Sequence, residues 1–133
     1  MKEWLRRRVR FLKATSEEGP GVRRVSVELQ RPNQAGVVGK AEQSTSDTDL
    51  SRAGAEAAAE AIVQASGMTD AQVKVEDIEH VNLFGKDIVV VSVTAIYKGQ
   101  TVSLFGVCHV QEDPATAGAL AVLSATNRVL ELS

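Results

Sequence analysis

Cysteine and long apolar runs are scarce in this chain of 133 residues. The single cysteine, Cys108, excludes an internal disulfide, and its flanking sequence "LFGVCHV" favours a buried strand in which a free thiol acts as a small hydrophobe. No window approaches the roughly 18 apolar residues of a membrane span, and the opening "MKEWLRRRVRFLKAT" lacks the uninterrupted apolar run of a secretory signal. We therefore expect a cytoplasmic protein in a reducing compartment, with no membrane attachment.

Residues that carry catalysis or bind metals are also few. The two histidines are His80 and His109, and because Cys108 and His109 are adjacent in a predicted strand, their side chains point to opposite faces. Too few ligands remain for a Cys/His zinc site. The segment "GVVGK" at 36–40 has two residues between its glycines, where a phosphate loop has four, and no nucleophile elbow occurs. A Ser/His/Asp arrangement stays open without a pattern to favour it, so we expect no enzyme, no metal and no cofactor.

Positive charge is concentrated at the start of the chain. Residues 1–31 hold nine Lys or Arg against four acids, whereas the rest of the chain holds six basic and thirteen acidic residues. Nucleic acid or an acidic membrane surface could be attracted by such a segment, but aromatic residues make up only 4% of the chain, so a platform for stacking bases would be sparse. We favour a solvated positive edge and keep nucleic-acid binding as the alternative function. The arginines concerned are Arg6, Arg7, Arg8, Arg10, Arg23 and Arg24.

The most informative pattern is an internal repeat, because three landmarks recur in the same order at offsets of 64 to 67 residues. They are "AGAEAAAEA" at 53–61 and "AGALAVLSA" at 117–125, "VSV" at 25–27 and 91–93, and the glycines Gly39 and Gly106. The chain length and its 44% apolar residues suit one core. We predict a single domain over 1–133 built from two repeats, at about 6–67 and 72–131.

The second repeat has the clearer signals. Strands are predicted at 71–83, 88–97 and 101–110, with hairpin turns at "FGKD" and "KGQ". A helix follows, for which Asp113 is a natural N-cap and Pro114 a favourable first residue. The predicted unit is therefore strand, strand, strand, helix.

The first repeat fits the same order with weaker signals. Apolar and polar residues alternate over 22–30, a second strand is predicted at 35–43, and a helix at 50–66 ends at Gly67. The repeat requires a strand before these, and we predict it at 8–15. The alternative is an amphipathic helix with Trp4, Leu5, Val9 and Leu12 on one face, which would suit an arm for a membrane or nucleic acid.

The predicted fold class is α+β. The two strand-strand-strand-helix repeats should form one mostly antiparallel sheet of about six strands, with both helices on one face. Small residues spaced by four along each helix would let the helix lie close to the sheet or to the other helix. These are Ala53, Ala57 and Ala61 in the first helix and Ala117, Ala121 and Ala125 in the second.

Two features of the second repeat suggest self-association. Its helix is uncharged over 114–127, and its strand at 88–97 is apolar on both faces, so one face needs a cover besides the helices. A central helix and strand in an asymmetric monomer would also explain both features. We favour a homodimer, with Leu120, Val122 and Leu123 as the candidate interface residues.

The tail "EDPATAGALAVLSATNRVLEL" resembles the C-terminal regulatory domain of 2-isopropylmalate synthases. The resemblance rests on Gly106, on Asp113 at the helix start, on the alanines spaced by four, and on Asn127 with Arg128; Cys108 stands where that family has the second glycine of its ligand loop. It implies a pair of strand-strand-strand-helix units, dimerisation, and the binding of leucine as a feedback inhibitor.

We therefore expect a regulatory module that binds a small effector, such as an amino acid, or a partner protein. The ligand should lie where the loops at 44–49 and 110–113 meet the helix N-termini, whose N–H groups suit a carboxylate. The candidate ligand-binding residues are Ser46, Asp47, Asp49, Gly106, Cys108, Glu112 and Asp113.

Overall fold

The computed structural model describes residues 9–31, 35–45, 49–67, 70–111 and 113–132. Three strands and a helix follow one another twice, which confirms the α+β class and the repeated unit. The first unit comprises β1 (Arg10–Gly19), β2 (Val22–Gln30), β3 (Val37–Ser44) and α1 (Leu50–Ser66). The second comprises β4 (Gln72–Leu83), β5 (Lys86–Tyr97), β6 (Gln100–His109) and α2 (Pro114–Leu132).

The strands form two antiparallel sheets of three, in the orders β1-β2-β3 and β4-β5-β6, and not the single sheet of six that the sequence suggested. Within the described ranges no strand ladder joins them. Each helix packs on its own sheet, α1 also touches β4, α2 also touches β1, and the two helices pack on each other. The units are therefore joined by side-chain packing, which removes the need for paired strand edges.

The two sheets share their register, including an irregularity. In β1 the pairing with β2 shifts at Leu12, and in β4 the pairing with β5 shifts at Glu76, 64 residues later. Gly39 pairs with Val27 in the first sheet, and Gly106 pairs with Val91 in the second. The alignment of the two "VSV" segments was thus displaced by two residues, which left every face assignment intact because strand side chains alternate with period two.

The N-terminal strand is confirmed, although it begins at Arg10 and runs on to Gly19. The turn is therefore the pair Pro20 and Gly21, and the acids before it belong to the strand. Val9 is buried, whereas Leu12 lies in the bulge and is 46% exposed. A helix over the described part of this segment is excluded; Trp4 and Leu5 lie outside the described residues.

Both helices begin, and α1 also ends, where the sequence predicts. Asp49 caps α1 by accepting a hydrogen bond from the Ser51 backbone N–H, and Gly67 ends the helix with φ 68°. Asp113 caps α2 by accepting from the Ala115 N–H. Short polar side chains satisfy the free N–H groups of a first turn, and glycine adopts the left-handed conformation of a helix end without strain.

The alanine-rich sequence that the two helices share is explained by glycines more than by alanines. A Cβ on Gly39 would lie 2.1 Å from the Ala57 carbonyl oxygen, and one on Gly106 would lie 1.9 Å from that of Ala121. Each strand glycine thus brings its own helix onto its sheet. A Cβ on Gly54 would lie 2.1 Å from the Ala115 oxygen and one on Gly118 would lie 2.0 Å from the Ser51 oxygen, so the central glycine of each "AGA" lets one helix touch the other.

The core contains residues from both units. Its largest fully buried apolar side chains are in β2, β5 and α2. Val122 and Leu123, which were expected at a dimer interface, are buried within the single chain, so they are not available to a partner. Only Leu120 of that set is partly exposed. The lack of charge in α2 is accordingly explained by packing on β5, β6 and α1.

Candidate functional site

A cleft of about 410 Å³ lies where β6 ends and α2 begins. A Cβ on Gly106 would overlap the Ala121 carbonyl oxygen, so this glycine lets α2 lie close to β6 beside the cleft. Both apolar and polar side chains line the cleft. The lining residues are Cys108, His109, Gln111, Asp113, Thr116, Ala117 and Leu120.

The structure brings together only part of the predicted ligand site. Cys108 and Asp113 line the cleft, whereas Gly106 is buried beneath α2 and does not. Asp49 lies at the start of α1, in a separate group of side chains. Three more residues predicted for the site, Ser46, Asp47 and Glu112, lie outside the described residues.

The Asp113 carboxylate determines the electrostatics at the helix end of the cleft. One oxygen accepts from the Ala115 N–H at 3.2 Å, and the other accepts from the Thr116 hydroxyl at 2.9 Å. The Asp113 carboxylate therefore binds a backbone N–H at the start of α2, where we expected a ligand carboxylate to bind. This end of the cleft is suited to a cation or a hydrogen-bond donor.

Cys108 contributes a neutral side chain. It is partly buried, and burial raises the pKa of its thiol. Its Sγ donates to the backbone oxygen of His109 at 3.4 Å. A thiol in this state is a poor nucleophile, because reactivity belongs to the thiolate.

The first repeat has different side chains at the positions that form the cleft. With the helix offset of 64, Thr116 corresponds to Arg52 and Leu120 to Glu56. In α1, Arg52 and Glu56 form an ion pair at 3.9 Å. Asp49 and Asp113 are equivalent caps. The sequence signal that could have revealed this difference was the change from a charged pair to Thr and Leu on otherwise matching helices.

A second polar group joins α1 to the second sheet. His80, on β4, places Nε2 3.0 Å from the Ser51 hydroxyl and 3.5 Å from an Asp49 carboxylate oxygen, while its Nδ1 lies 3.3 Å from Asp87. The Ser51 hydroxyl also donates to Asp49. Sequence reasoning missed this group because residues from α1, β4 and β5 meet only in the folded chain.

Opposing effects set the protonation of this group. Burial by itself lowers the pKa of His80, but hydrogen bonds and negative charge from Asp87 and Asp49 outweigh it, so the pKa is raised. Burial likewise tends to raise the pKa of Asp49, but the hydrogen bonds to Ser51 and His80 dominate and lower it. The two carboxylates therefore stabilise the charged imidazolium form of His80 relative to the neutral ring.

The order of serine, histidine and aspartate in this group resembles that of a hydrolytic triad, but Ser51 is 0% exposed. A substrate cannot reach a hydroxyl that lies between two packed helices, and this hydroxyl donates to Asp49. The group therefore connects the start of α1 to the second sheet and supplies no accessible nucleophile.

The described arginines of the basic segment are largely paired. Arg23 forms an ion pair with Glu18 at 2.8 Å, and Arg24 forms one with Glu42 at 2.8 Å. Such pairs reduce the positive field that would attract a polyanion. Arg6, Arg7 and Arg8 lie outside the described residues.

The chain matches no protein-family model, and no curated protein matches it in sequence. Neither helix, over its described residues, combines the length and apolarity needed to cross a bilayer.

Proposed function

We propose that this chain is a non-enzymatic regulatory module that binds a small molecule in the cleft at the start of α2. The cleft itself is the observation that carries the proposal, since about 410 Å³ lies within the usual range for small-ligand sites. Two of the residues expected at a ligand site, Cys108 and Asp113, line it. The free thiol of Cys108 supports a reducing, cytoplasmic setting.

The ligand class follows from the lining. Asp113 offers negative charge at one end, Gln111 and Thr116 offer hydrogen bonds, and Ala117 and Leu120 offer an apolar surface. A small amine with a short apolar body, such as a free amino acid held by its ammonium group, fits this arrangement. The resemblance to the regulatory domain of 2-isopropylmalate synthases points to the same class, and pairing of two copies is part of the same proposal.

Binding can be tested by thermal unfolding with matched ligands. The panel contains free apolar amino acids, the corresponding amines without the carboxylate, and the N-acetylated amino acids. A ligand at a hundredfold excess over its Kd stabilises the native state by about 2.7 kcal/mol, which raises Tm by several degrees. We expect the free amino acids and the amines to raise Tm and the N-acetylated forms to leave it unchanged.

A pair of double variants connects the effect to the cleft. Thr116→Arg with Leu120→Glu places in α2 the side chains that α1 already carries at the equivalent positions, so it should fold and lose the ligand-dependent shift. The matched control, Arg52→Thr with Glu56→Leu, alters α1 and should keep the shift. An unchanged Tm of the wild-type protein across the panel, or an equal shift in both double variants, would overturn the proposal.

A further inference from the structure

The second sheet has an outer face, formed by the side chains that point away from α2. Val89, Val91 and Val93 of β5 are fully buried on the inner side, so their neighbours along the strand point outward. Phe105 and Val107 of β6 belong to the outer face and are 69% and 58% exposed. The other apolar members are Val81, Leu83, Ile88, Val90 and Ile96.

The first sheet shows what the same face looks like when water covers it. There Arg24 is paired with Glu42, and Lys13 lies 3.7 Å from Glu28. Lys40 projects from β3 and is exposed. The outer face of the first sheet therefore carries charged side chains, four of which are paired across neighbouring strands.

The shared register allows a position-by-position comparison of the two faces. Arg24 and Glu42 correspond to Ile88 and His109, and Ser26 and Lys40 correspond to Val90 and Val107. Val38 corresponds to Phe105. The backbone framework is the same in both sheets. Arg24 and Lys40 are replaced by the apolar Ile88 and Val107, and Ser26 is replaced by Val90, so the outer face of the second sheet is the more apolar of the two and is suited to a cover.

Charge and size determine which cover is suitable. Apart from the bulge residue Glu76, the fully charged side chains on this face are Lys74, Asp77, Glu79 and Lys86, all on β4 or the β5 start, two of each sign. These four charges cancel and Glu76 adds one negative charge, so the face repels an identical face only weakly and does not attract a polyanion such as nucleic acid or an anionic membrane. His109 is the one further titratable group on it.

The dimensions agree with a weak symmetric pair. Three strands of about ten residues give a face of roughly 14 Å by 34 Å, so two copies would bury on the order of 1,000 Å² together. That area lies at the lower limit for a specific interface and within the range of dissociable ones. Two sheet faces of equal shape also pack well at the usual separation of about 10 Å.

We propose that two copies of this chain pair through the outer face of the second sheet, about a twofold axis, with Val90, Phe105 and Val107 at the centre. The inference rests on the pairing proposed above but not on the ligand. It replaces the helix residues Val122 and Leu123, which are buried, by strand residues that are exposed.

Sedimentation velocity over a range of concentrations tests the surface. We expect the wild-type protein to dimerise with a Kd in the micromolar range, typical of a small interface. Val107→Lys reproduces the lysine that the first repeat carries at Lys40, so the variant should keep its circular dichroism spectrum while Kd rises at least about tenfold, since a twofold pair contains the change twice. Val38→Lys, the same substitution on the first sheet, should leave Kd unchanged.

The outcomes separate the surface from the other proposals. A wild-type protein that stays monomeric at several hundred micromolar overturns both the surface and the pairing. Dimerisation that Val107→Lys does not weaken overturns the surface alone. If Val107→Lys fails to fold, Ile88→Arg, which reproduces Arg24, decides by the same measurement. A ligand-dependent Tm shift in monomeric Val107→Lys would show that the cleft acts without pairing.

Discussion

At the scale of single residues, a few positions set the distances between elements, some because they are glycines without a side chain and one because its side chain joins two elements. Gly39 and Gly106 are required by contact and not by backbone angle, because neither has a positive φ, yet a Cβ at either would overlap a helix carbonyl. His80 acts in a different way, because its side chain is large and joins α1 to β5 through polar contacts with Ser51 and Asp87. Both kinds of residue act on the junctions between elements.

His80 makes stability depend on pH. Its pKa is raised in the folded state, so its contribution is fully present below the ordinary value of about 6.5 and is lost as pH rises through the raised value. We expect the wild-type protein to lose stability from about pH 6.5 to about pH 8 relative to His80→Gln. The loss should stay under about 1 kcal/mol because the ring is 40% exposed and screened.

Urea unfolding of both proteins at the two pH values measures this difference. The two proteins differ only at position 80, so the comparison isolates the contribution of this side chain. Asp49 acts on the acid side, where its lowered pKa gives stability above its unfolded value that is lost as pH falls through the folded one. Parallel stability profiles for wild type and His80→Gln would contradict an ionised histidine at this junction.

At the scale of elements, the helices and hairpins follow from local signals, whereas their contacts depend on the reciprocal glycines. Gly54 of α1 meets the Ala115 backbone and Gly118 of α2 meets the Ser51 backbone. The two contacts are related by the internal repeat, so the helix pair is held at two equivalent points. Small residues permit this approach because no Cβ separates the backbones.

Replacing these glycines with alanine should separate the helices. Gly54→Ala and Gly118→Ala should each lower the free energy of unfolding by about 1–3 kcal/mol through overpacking. The double variant should cost less than the sum, since helices already moved apart accommodate the second Cβ. Gly19→Ala is the control: its Cβ would have Val22 oxygen at 3.9 Å, so urea unfolding should show a change within about 1 kcal/mol. Additive costs would indicate that the two contacts are independent.

At the scale of the whole molecule, the N-terminal strand links the two units. β1 pairs with β2 in the first sheet, and it also touches α2, the last helix of the second unit. The Val9 backbone oxygen accepts a hydrogen bond from the Asn127 side chain at 3.4 Å. Both repeats therefore depend on Val9 and β1.

Removing residues 1–15 should abolish cooperative unfolding. The deletion takes away Val9 and Phe11, the strand partner of Leu29, and it uncovers the α2 surface that β1 touches. Circular dichroism during thermal unfolding should show no sharp transition. Lys13→Ala, in the same segment, removes only an exposed ion pair with Glu28 and should cost less than about 1 kcal/mol. A cooperative transition in the deletion variant would show that the repeats do not need this strand.

The sequence by itself determined the elements. Helix 50–66 with Gly67, the cap at Asp113 and the strand at 22–30 agree with the structure, because caps, turns and alternation act within a few residues of the chain. The repeat also determined that residues before 22 form a strand and not a helix. Caps, turns and alternation depend only on residues close together in the chain. They were therefore predicted correctly although the alignment of the two repeats was displaced by two residues.

Only the tertiary structure decided how the elements meet. The division into two sheets, the burial of Val122 and Leu123, and the joining of His80 to Ser51 all involve residues far apart in the chain. The apolar character of a residue predicts that it is buried, but it does not predict whether a helix, a sheet or another copy of the chain buries it. That choice depends on the distance between packed backbones, which the glycines at 54 and 118 fix for the helix pair through non-local contacts.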